Sequence, residues 1–454
     1  MRLATEIAVA RAVGALSRRT GRGGGTTLPG KLLLWLDDAA LAALARRLPE
    51  GAVVVSATNG KTTTCALAAR ILGEGRSLAY NASGANLLSG VAATLLAAGR
   101  ADMALLEVDE AALPEVSRRI APRTLCLGNL FRDQLDRYGE LESLAEGWRA
   151  TVAELPPTTR LVVNADDPVL GALALDRPGT VTYGVDDSAQ ARPSLQHAAD
   201  SKYCIRCGAP YDYAAAYVGH LGDYRCPRCG HARPPLTVAA RSIVLDGLTG
   251  ATFDLAAPDG VRRVTLPLPG LYNVYNAVAA AALCHTLGVS LDAIVRGLEG
   301  ALPAWGRFER IAIGGKTVVL LLVKNPAGAN EAVRTLLTGA TPPRLALVAL
   351  NDAVADGRDV SWIWDVDYEP LLAGLQRVVT SGGRAAELAL RFRYGGLADD
   401  AIEVVPDLEQ ALDRALALTP DGGELVVLPT YTAMLALRRI VAGRGHVGNF
   451  WEAA

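Results

Sequence analysis

The sequence predicts an α/β protein with three parts. A central domain carries a phosphate loop on a parallel, doubly wound sheet; a cysteine ribbon is inserted into it; a smaller Rossmann-like α/β domain follows. Three observations lead there. The apolar run Val53-Val54-Val55 breaks at Ser56-Ala57-Thr58-Asn59-Gly60-Lys61-Thr62-Thr63-Thr64 and enters a helix-forming stretch at 65–72. Apolar strands alternate with helical patterns before and after residue 306, the signature of parallel sheet. Two Cys-x-x-Cys pairs, Cys204/Cys207 and Cys226/Cys229, stand eighteen residues apart, a spacing that suits one metal ion.

Composition narrows the function. The chain has 454 residues, half of them hydrophobic and 20% charged, with net charge −2. That length supports two or three cored domains. The near-neutral charge argues against a general nucleic-acid binder. No apolar run reaches the ~18 residues that read as a transmembrane helix. Glu6 interrupts the Ala-rich start, so no signal peptide is expected. A cytoplasmic protein is expected; a basic amphipathic helix at the start suits the inner membrane surface, with packing on its own domain as the commoner alternative. Seven Cys, four in close pairs, fit a reducing compartment.

In chain order, residues 1–50 read as helices with a Gly loop at 22–25 and a Pro-Gly turn at 28–31. Strands are expected at 103–108, 124–129 and 160–164. Their carboxyl ends carry Glu107, Asn129 and Asn164-Ala165-Asp166-Asp167, where ligands sit in such sheets. The four cysteines then make a closed, structural site; redox dithiols are the rival reading. Residues 241–268 read as antiparallel strands. Asn273 is placed as the N-cap of an Ala-rich helix at 277–287. Residues 303–309 form a hinge, and strands resume at 317–323, 344–350, 376–380 and 424–428. The stretch 351–365 gathers Asp352, Asp356, Asp359 and Asp365 with Trp362 and Trp364, which predicts burial or an interface.

The phosphate loop has its own logic. Backbone N–H groups and the helix dipole face an anion there. Lys61 would reach the β/γ-phosphates and Thr62 would hold Mg²⁺. Val55 stands where the full P-loop pattern has Gly, so an ordinary strand-helix turn with an exposed Lys is the alternative.

These residues together resemble the Mur ligases. Thr58-Asn59-Gly60-Lys61-Thr62-Thr63 is similar to their nucleotide loop. Asn129-Leu130-Phe131-Arg132-Asp133-Gln134-Leu135-Asp136, Asn164-Ala165-Asp166-Asp167-Pro168, the 270–276 segment and Gly306-Arg307-Phe308-Glu309 fall in the family's order. The resemblance implies ATP, Mg²⁺ on Thr62 and Glu107, adenine at Asn273 and a phosphate at Arg307. It also implies catalytic roles for Lys61 and Glu107 in forming an acyl phosphate.

Departures from the family point to one branch. Gln134 replaces a metal-binding His, and 144–150 lacks the Lys that the family carbamylates. The ribbon is added, and the loop lies too near Met1 for the family's UDP-sugar domain. These features, with 356–365 and 429–435, look like the synthetase subunit of a lipid II isoglutaminyl synthase. That resemblance implies ammonia as nucleophile, a separate GatD-like glutaminase as partner, and lipid II as substrate. It also implies an Asp that completes the partner's Cys–His pair: Asp356 is favoured, with Asp352 and Asp359 as rivals. The residues agree, because Cys65, Cys126 and Cys284 lie in helix or strand patterns without a nucleophile's Gly-rich elbow. The boundaries expected are 1–305, with a Zn²⁺ ribbon at about 201–233, and 306–454, the part contacting the glutaminase. A self-sufficient ligase of the folylpolyglutamate type and a non-catalytic zinc-ribbon module are the alternatives.

Overall fold

A computed structural model describes residues 2–19, 27–82, 84–133, 141–196, 199–302, 307–339 and 342–447. The first sheet begins with β1 (Ala52–Ser56), β2 (Leu78–Tyr80), β3 (Met103–Glu107), β4 (Thr124–Leu127), β5 (Arg160–Asn164) and β6 (Val181–Val185). A separate hairpin follows, β7 (Asp212–Val218) and β8 (Leu221–Arg225). The first sheet then resumes with β9 (Val238–Leu245), β10 (Ala251–Ala257) and β11 (Gly260–Leu266). Its order is β11-β10-β9-β6-β5-β4-β1-β3-β2. Pairings from β2 across to β9 are parallel, and β9, β10 and β11 are antiparallel. Strands β1, β3 and β4 are buried along their length, so they read as unbroken apolar runs.

Topology places the site. From β1 the chain winds to β2 and β3 on one side, then returns to β4 on the other. Such a reversal opens a crevice at the carboxyl ends of β1, β3 and β4. Helix Lys61–Gly73 starts in it. Beneath lies helix Leu271–Thr286, buried from Asn273 to Cys284. Its alanines let it approach closely: Cys284 Sγ lies 4.0 Å from the Ala68 carbonyl.

The second sheet contains β12 (Phe308–Ile313), β13 (Lys316–Leu321), β14 (Leu345–Ala349), β15 (Arg377–Ser381), β16 (Ile402–Val404) and β17 (Glu424–Pro429). Its order is β12-β13-β17-β14-β15-β16, parallel except for β12. The carboxyl ends of β13, β17 and β14 are tied together, Val323 N–H to the Pro429 carbonyl at 3.0 Å and Thr430 N–H to that of Ala349 at 2.9 Å.

Two expectations are corrected. Residues 28–31 are not a turn but open helix Leu28–Leu36, with Pro29 in the first turn, where a missing N–H does no harm. Gly30 serves contact: a Cβ there would lie 1.8 Å from the Ser89 carbonyl oxygen. Asn273 is not the N-cap; Gly270 is, and Asn273 sits inside the first turn donating to the Pro269 carbonyl at 2.8 Å. Gln134, residues 303–306 of the hinge and the Gly loop at 22–25 lie outside the described residues.

Candidate active site

The phosphate loop is held by the chain leaving β4. Thr58 N–H donates to the Asn129 carbonyl and Asn59 N–H to Asn129 Oδ1, both at 2.9 Å. Asn129 Nδ2 returns a bond to the Asn59 carbonyl at 3.0 Å, and Phe131 N–H donates to Thr58 Oγ1 at 3.1 Å. Gly60 turns the loop at φ 86°, and a Cβ there would fall 2.0 Å from Asn276 Oδ1. Only glycine meets both demands.

Lys61 opens the helix and is buried. Its ammonium donates to the Ala57 carbonyl and to Glu110 Oε2, the latter at 2.6 Å. Burial opposes its charge, but Glu110, Glu107 and Asp109 outweigh burial and raise its pKa. The same balance lowers the Glu110 carboxyl: burial works against ionisation, and Lys61 and Lys324 overcome it. Glu110 carries no motif signal in the sequence; its one local mark is its place three residues past the end of a buried strand.

Thr62 Oγ1 donates to Glu107 Oε1 at 3.2 Å and receives an Arg307 N–H at 3.3 Å. Asn81 fixes the Glu107 backbone with two 2.8 Å bonds. Glu107 Oε2 is buried and, among the described residues, has no hydrogen-bond partner. A carboxylate oxygen left bare beside a threonine hydroxyl fits a hard divalent cation.

The second sheet completes the crevice. Lys324 Nζ donates to the Thr58 carbonyl at 3.0 Å and to Asp133. Asn325, the N-cap of helix Pro326–Leu337, bonds the Asn59 side chain at 3.0 Å. Asn325-Pro326 after an apolar strand is a helix-start signal by which the sequence marks Asn325; no local pattern marks Lys324. The resulting cavity of about 480 Å³ is lined by Lys61, Glu107, Asn273, Arg307, Lys324 and Tyr431, among others. Thus Thr58 to Thr63, Glu107, Asn273 and Arg307 share one cavity. Asp166 and Asp167 do not line it. They are fully buried: Asp166 accepts from Tyr275, Val185 and Arg233, and Asp167 caps helix Pro168–Asp176.

The four cysteine sulfurs lie within 4.8 Å of one another. Cys204–Cys229 and Cys207–Cys226 are each 3.5 Å apart. A tetrahedron with ~2.3 Å metal–sulfur bonds has edges of ~3.8 Å, so the donor set fits a metal. Gly208 and Gly230 close matching turns at φ 72° and 75°.

Asp356 is buried, with one carboxylate oxygen accepting from Thr432 N–H at 2.8 Å and the other from its hydroxyl. Burial raises its pKa against those bonds. Asp352 pairs with Arg384 at 2.9 Å, and Asp359 accepts from Ser361 N–H at 2.8 Å. Trp362 is half-buried. Trp364 is 46% exposed and meets Tyr394, 75% exposed, edge-on at 5.8 Å. Cys65, Cys126 and Cys284 are all buried, and burial pushes the Cys126 thiol up to about 12, which is incompatible with a ready nucleophile.

Comparison with known proteins agrees with this architecture. The family model for the Mur ligase middle domain matches residues 55–219, and that for the MurT ligase C-terminal matches 322–434. The MurT subunit of the lipid II isoglutaminyl synthase (glutamine-hydrolyzing) of Streptococcus pneumoniae is 35% identical over 94% of both chains. The chain belongs to the MurT family of Mur ligases. The MurT subunit of Staphylococcus aureus is 31% identical over 96% of both chains. The fold is also that of a pseudomurein peptide ligase type C from Methanothermus fervidus, with TM-score 0.69, 21% identity, and 88% of this chain and 80% of that one covered. MurF from Thermotoga maritima, solved with ADP, gives TM-score 0.64 and 16% identity over 92% and 85%. Membership of the Mur ligase family implies ATP and Mg²⁺, and the four cysteines could hold a metal ion. Among the described residues no helix is long and apolar enough to cross a membrane.

Proposed function

We propose that this MurT-family chain is an ATP-dependent synthetase subunit. It amidates the D-glutamate α-carboxylate of the lipid II stem peptide to D-isoglutamine, with ammonia released from glutamine by a GatD-like glutaminase. The observation that carries the reading is the match over 94% of both chains, with Lys61, Thr62, Glu107 and Arg307 converging on one cavity. A carboxylate is a poor acyl donor. Transfer of the γ-phosphoryl group makes it an acyl phosphate, and ammonia then displaces phosphate through a tetrahedral intermediate.

The chain's task is positioning and charge neutralisation. Backbone N–H groups of 60–63 at the helix start cradle the phosphates, with Lys61 and Arg307 supplying positive charge and Asn273 contacting adenine. Thr62 and Glu107 hold Mg²⁺, which would neutralise phosphate charge when bound. The ribbon holds Zn²⁺, because four thiolates favour it. Residues 1–305, with the ribbon at about 201–233, form the nucleotide domain; 306–454 form the domain that meets the glutaminase.

Ala355, Tyr431 and Met434 line the same cavity as Lys61, which supports delivery of ammonia from beside the 352–359 acids. Asp356 serves the partner's Cys–His pair in this reading, and needs to release Thr432 to do so. A cytoplasmic location at the inner membrane face matches a lipid-linked substrate. The test is phosphate release with lipid II and either ammonia or glutamine plus partner, with product mass. Absence of amidated product with ammonia overturns the reading; gain of an amino acid favours the folylpolyglutamate-type alternative.

A further inference from the structure

We propose that the β7–β8 hairpin is a positioning element of the nucleotide site, with His220 as its key residue, so that ligation at its cysteine end sets nucleotide affinity at its tip. The proposal rests on the nucleotide reading of the cavity.

The hairpin has two functional ends. Cys204 and Cys207 precede β7, and Cys226 directly follows β8. At the far end, Gly219-His220 makes the turn and enters the core. Gly219 has φ +56°, and a Cβ there would lie 2.7 Å from the Phe131 ring. His220 is fully buried, its ring 4.7 Å from that of Phe131. Its Nε2 lies 3.5 Å from Asp167 Oδ2, which also accepts the Leu130 N–H at 2.9 Å. The tip therefore braces Leu130 and Phe131 together. Those two residues follow Asn129, and Phe131 bonds Thr58 Oγ1 through its N–H and its carbonyl, at 3.1 and 3.3 Å. The path from ribbon tip to phosphate loop is two contacts long. Val218 and Leu221, flanking the turn, line the cavity itself with Leu268 and Tyr272.

The bland reading is a histidine that fills space. Two facts favour positioning. Among the described residues, strands β7 and β8 pair with each other and with neither large sheet; their isolated bridges, Arg192–Ala216 and Arg225–Ala232, also lie outside both sheets. Without a sheet partner the ribbon is held at its two ends: at the tip by burial of Tyr217, Val218 and Leu221 in the main core and by the Gly222 N–H donating to the Asp166 carbonyl at 2.9 Å, and at the base by the cysteines, where a metal cross-link would fix the register of the two strands. A second route runs parallel: Arg233, just past the last knuckle, bonds Asp166 at 3.1 Å, and Asp166 accepts the Tyr275 hydroxyl at 2.6 Å. Tyr275 is two residues from Asn273 on the same helix.

The test measures ADP affinity in Mg²⁺ by calorimetry on the full chain, with metal content and circular dichroism as fold controls. His220→Ala is expected to weaken ADP by about tenfold, the scale of one lost polar contact, with His220→Gln restoring part of it. In turnover, KM for ATP rises while kcat at saturating ATP holds. Chelation, or Cys207→Ser, is expected to weaken ADP to a similar degree without loss of the large sheets' signal. Wild-type ADP affinity in a folded His220→Ala protein, or in the metal-stripped chain, overturns the proposal. Failure of the unmodified protein to bind ADP with Mg²⁺ overturns the nucleotide reading instead.

Discussion

Replacing Glu110 by Gln tests how the phosphate-loop lysine is held. Lys61 and Glu110 are 9% and 4% exposed and 2.6 Å apart. The Trp148 indole donates to the Glu110 carbonyl at 3.0 Å, which fixes the acid beneath the loop. Glu110→Gln leaves a buried ammonium whose remaining close acceptors are the Ala57 and Thr58 carbonyls. Removing one member of a buried pair costs about 3–5 kcal/mol. Glu107 and Asp109 still act on Lys61 from further away, so a loss of about 3 kcal/mol is expected by the same comparison. That is a large share of a typical ~5–15 kcal/mol. Urea unfolding followed by circular dichroism measures it.

The pH dependence has a defined sign. Glu110 titrates below its ordinary 4.5 in the folded chain, so its contribution is present above 4.5 and is lost as pH falls through the folded value. Lys61 titrates above its ordinary 10.5, so its share is present below 10.5 and is lost as pH rises further. Glu110→Gln should therefore flatten the acid limb. Lys61→Met in the Glu110→Gln background should recover much of the stability, because neither member of the pair is then left as a charge without its partner, while ADP binding is lost with the Lys61 ammonium. A single-variant loss under about 1 kcal/mol, or a double variant as unstable as the sum of the singles, would refute the reasoning.

Three further outcomes are expected. Gly60→Ala forces a left-handed backbone cost of about 1–2 kcal/mol and displaces Asn276; calorimetry should show ADP binding lost, and retained affinity would count against the loop geometry. Asp356→Ala removes the Thr432 contacts at the start of helix Tyr431–Gly443 and should lower stability by about 1–2 kcal/mol, as capping losses do. If Asp356 serves the partner, the variant loses glutamine-dependent turnover and keeps ammonia-dependent turnover. Trp364→Ala with Tyr394→Ala strips a partly exposed aromatic pair and should weaken association with the glutaminase in sedimentation, with a small drop in melting temperature because the Trp364 ring also lies 5.7 Å from the buried Arg391 guanidinium; unchanged association would place the interface elsewhere.

Local pattern carried much of this molecule. The 53–64 segment is strand, loop and helix start in one short stretch, so its conformation and anion chemistry were readable directly. The antiparallel 241–268 region and four strands of the second sheet were readable from apolar runs between turn residues. The Cys-x-x-Cys knuckles specify their geometry through their own spacing and glycines. Where local signals misled, a tertiary contact had overridden them. Pro29-Gly30 reads as a turn, yet Gly30 is needed for the approach to Ser89. Asn273 reads as a cap, yet Gly270 holds that place at φ 86°.

What the sequence determined by itself was the fold class, the family and the chemistry of the phosphate loop, because each rests on short local segments and their order along the chain. The tertiary structure decided what surrounds that loop. Strand order alone puts Glu107 and Asn129 on its two flanks, since β1 lies between β3 and β4. Lys324 and Asn325, 266 positions from the loop residues they touch, reach it only when the second sheet docks. The pairing of Lys61 with Glu110 and the burial of His220 against Phe131 likewise arise from packing between distant segments. Periodicity cannot report such contacts, because it records which face of an element is apolar and not what that face meets.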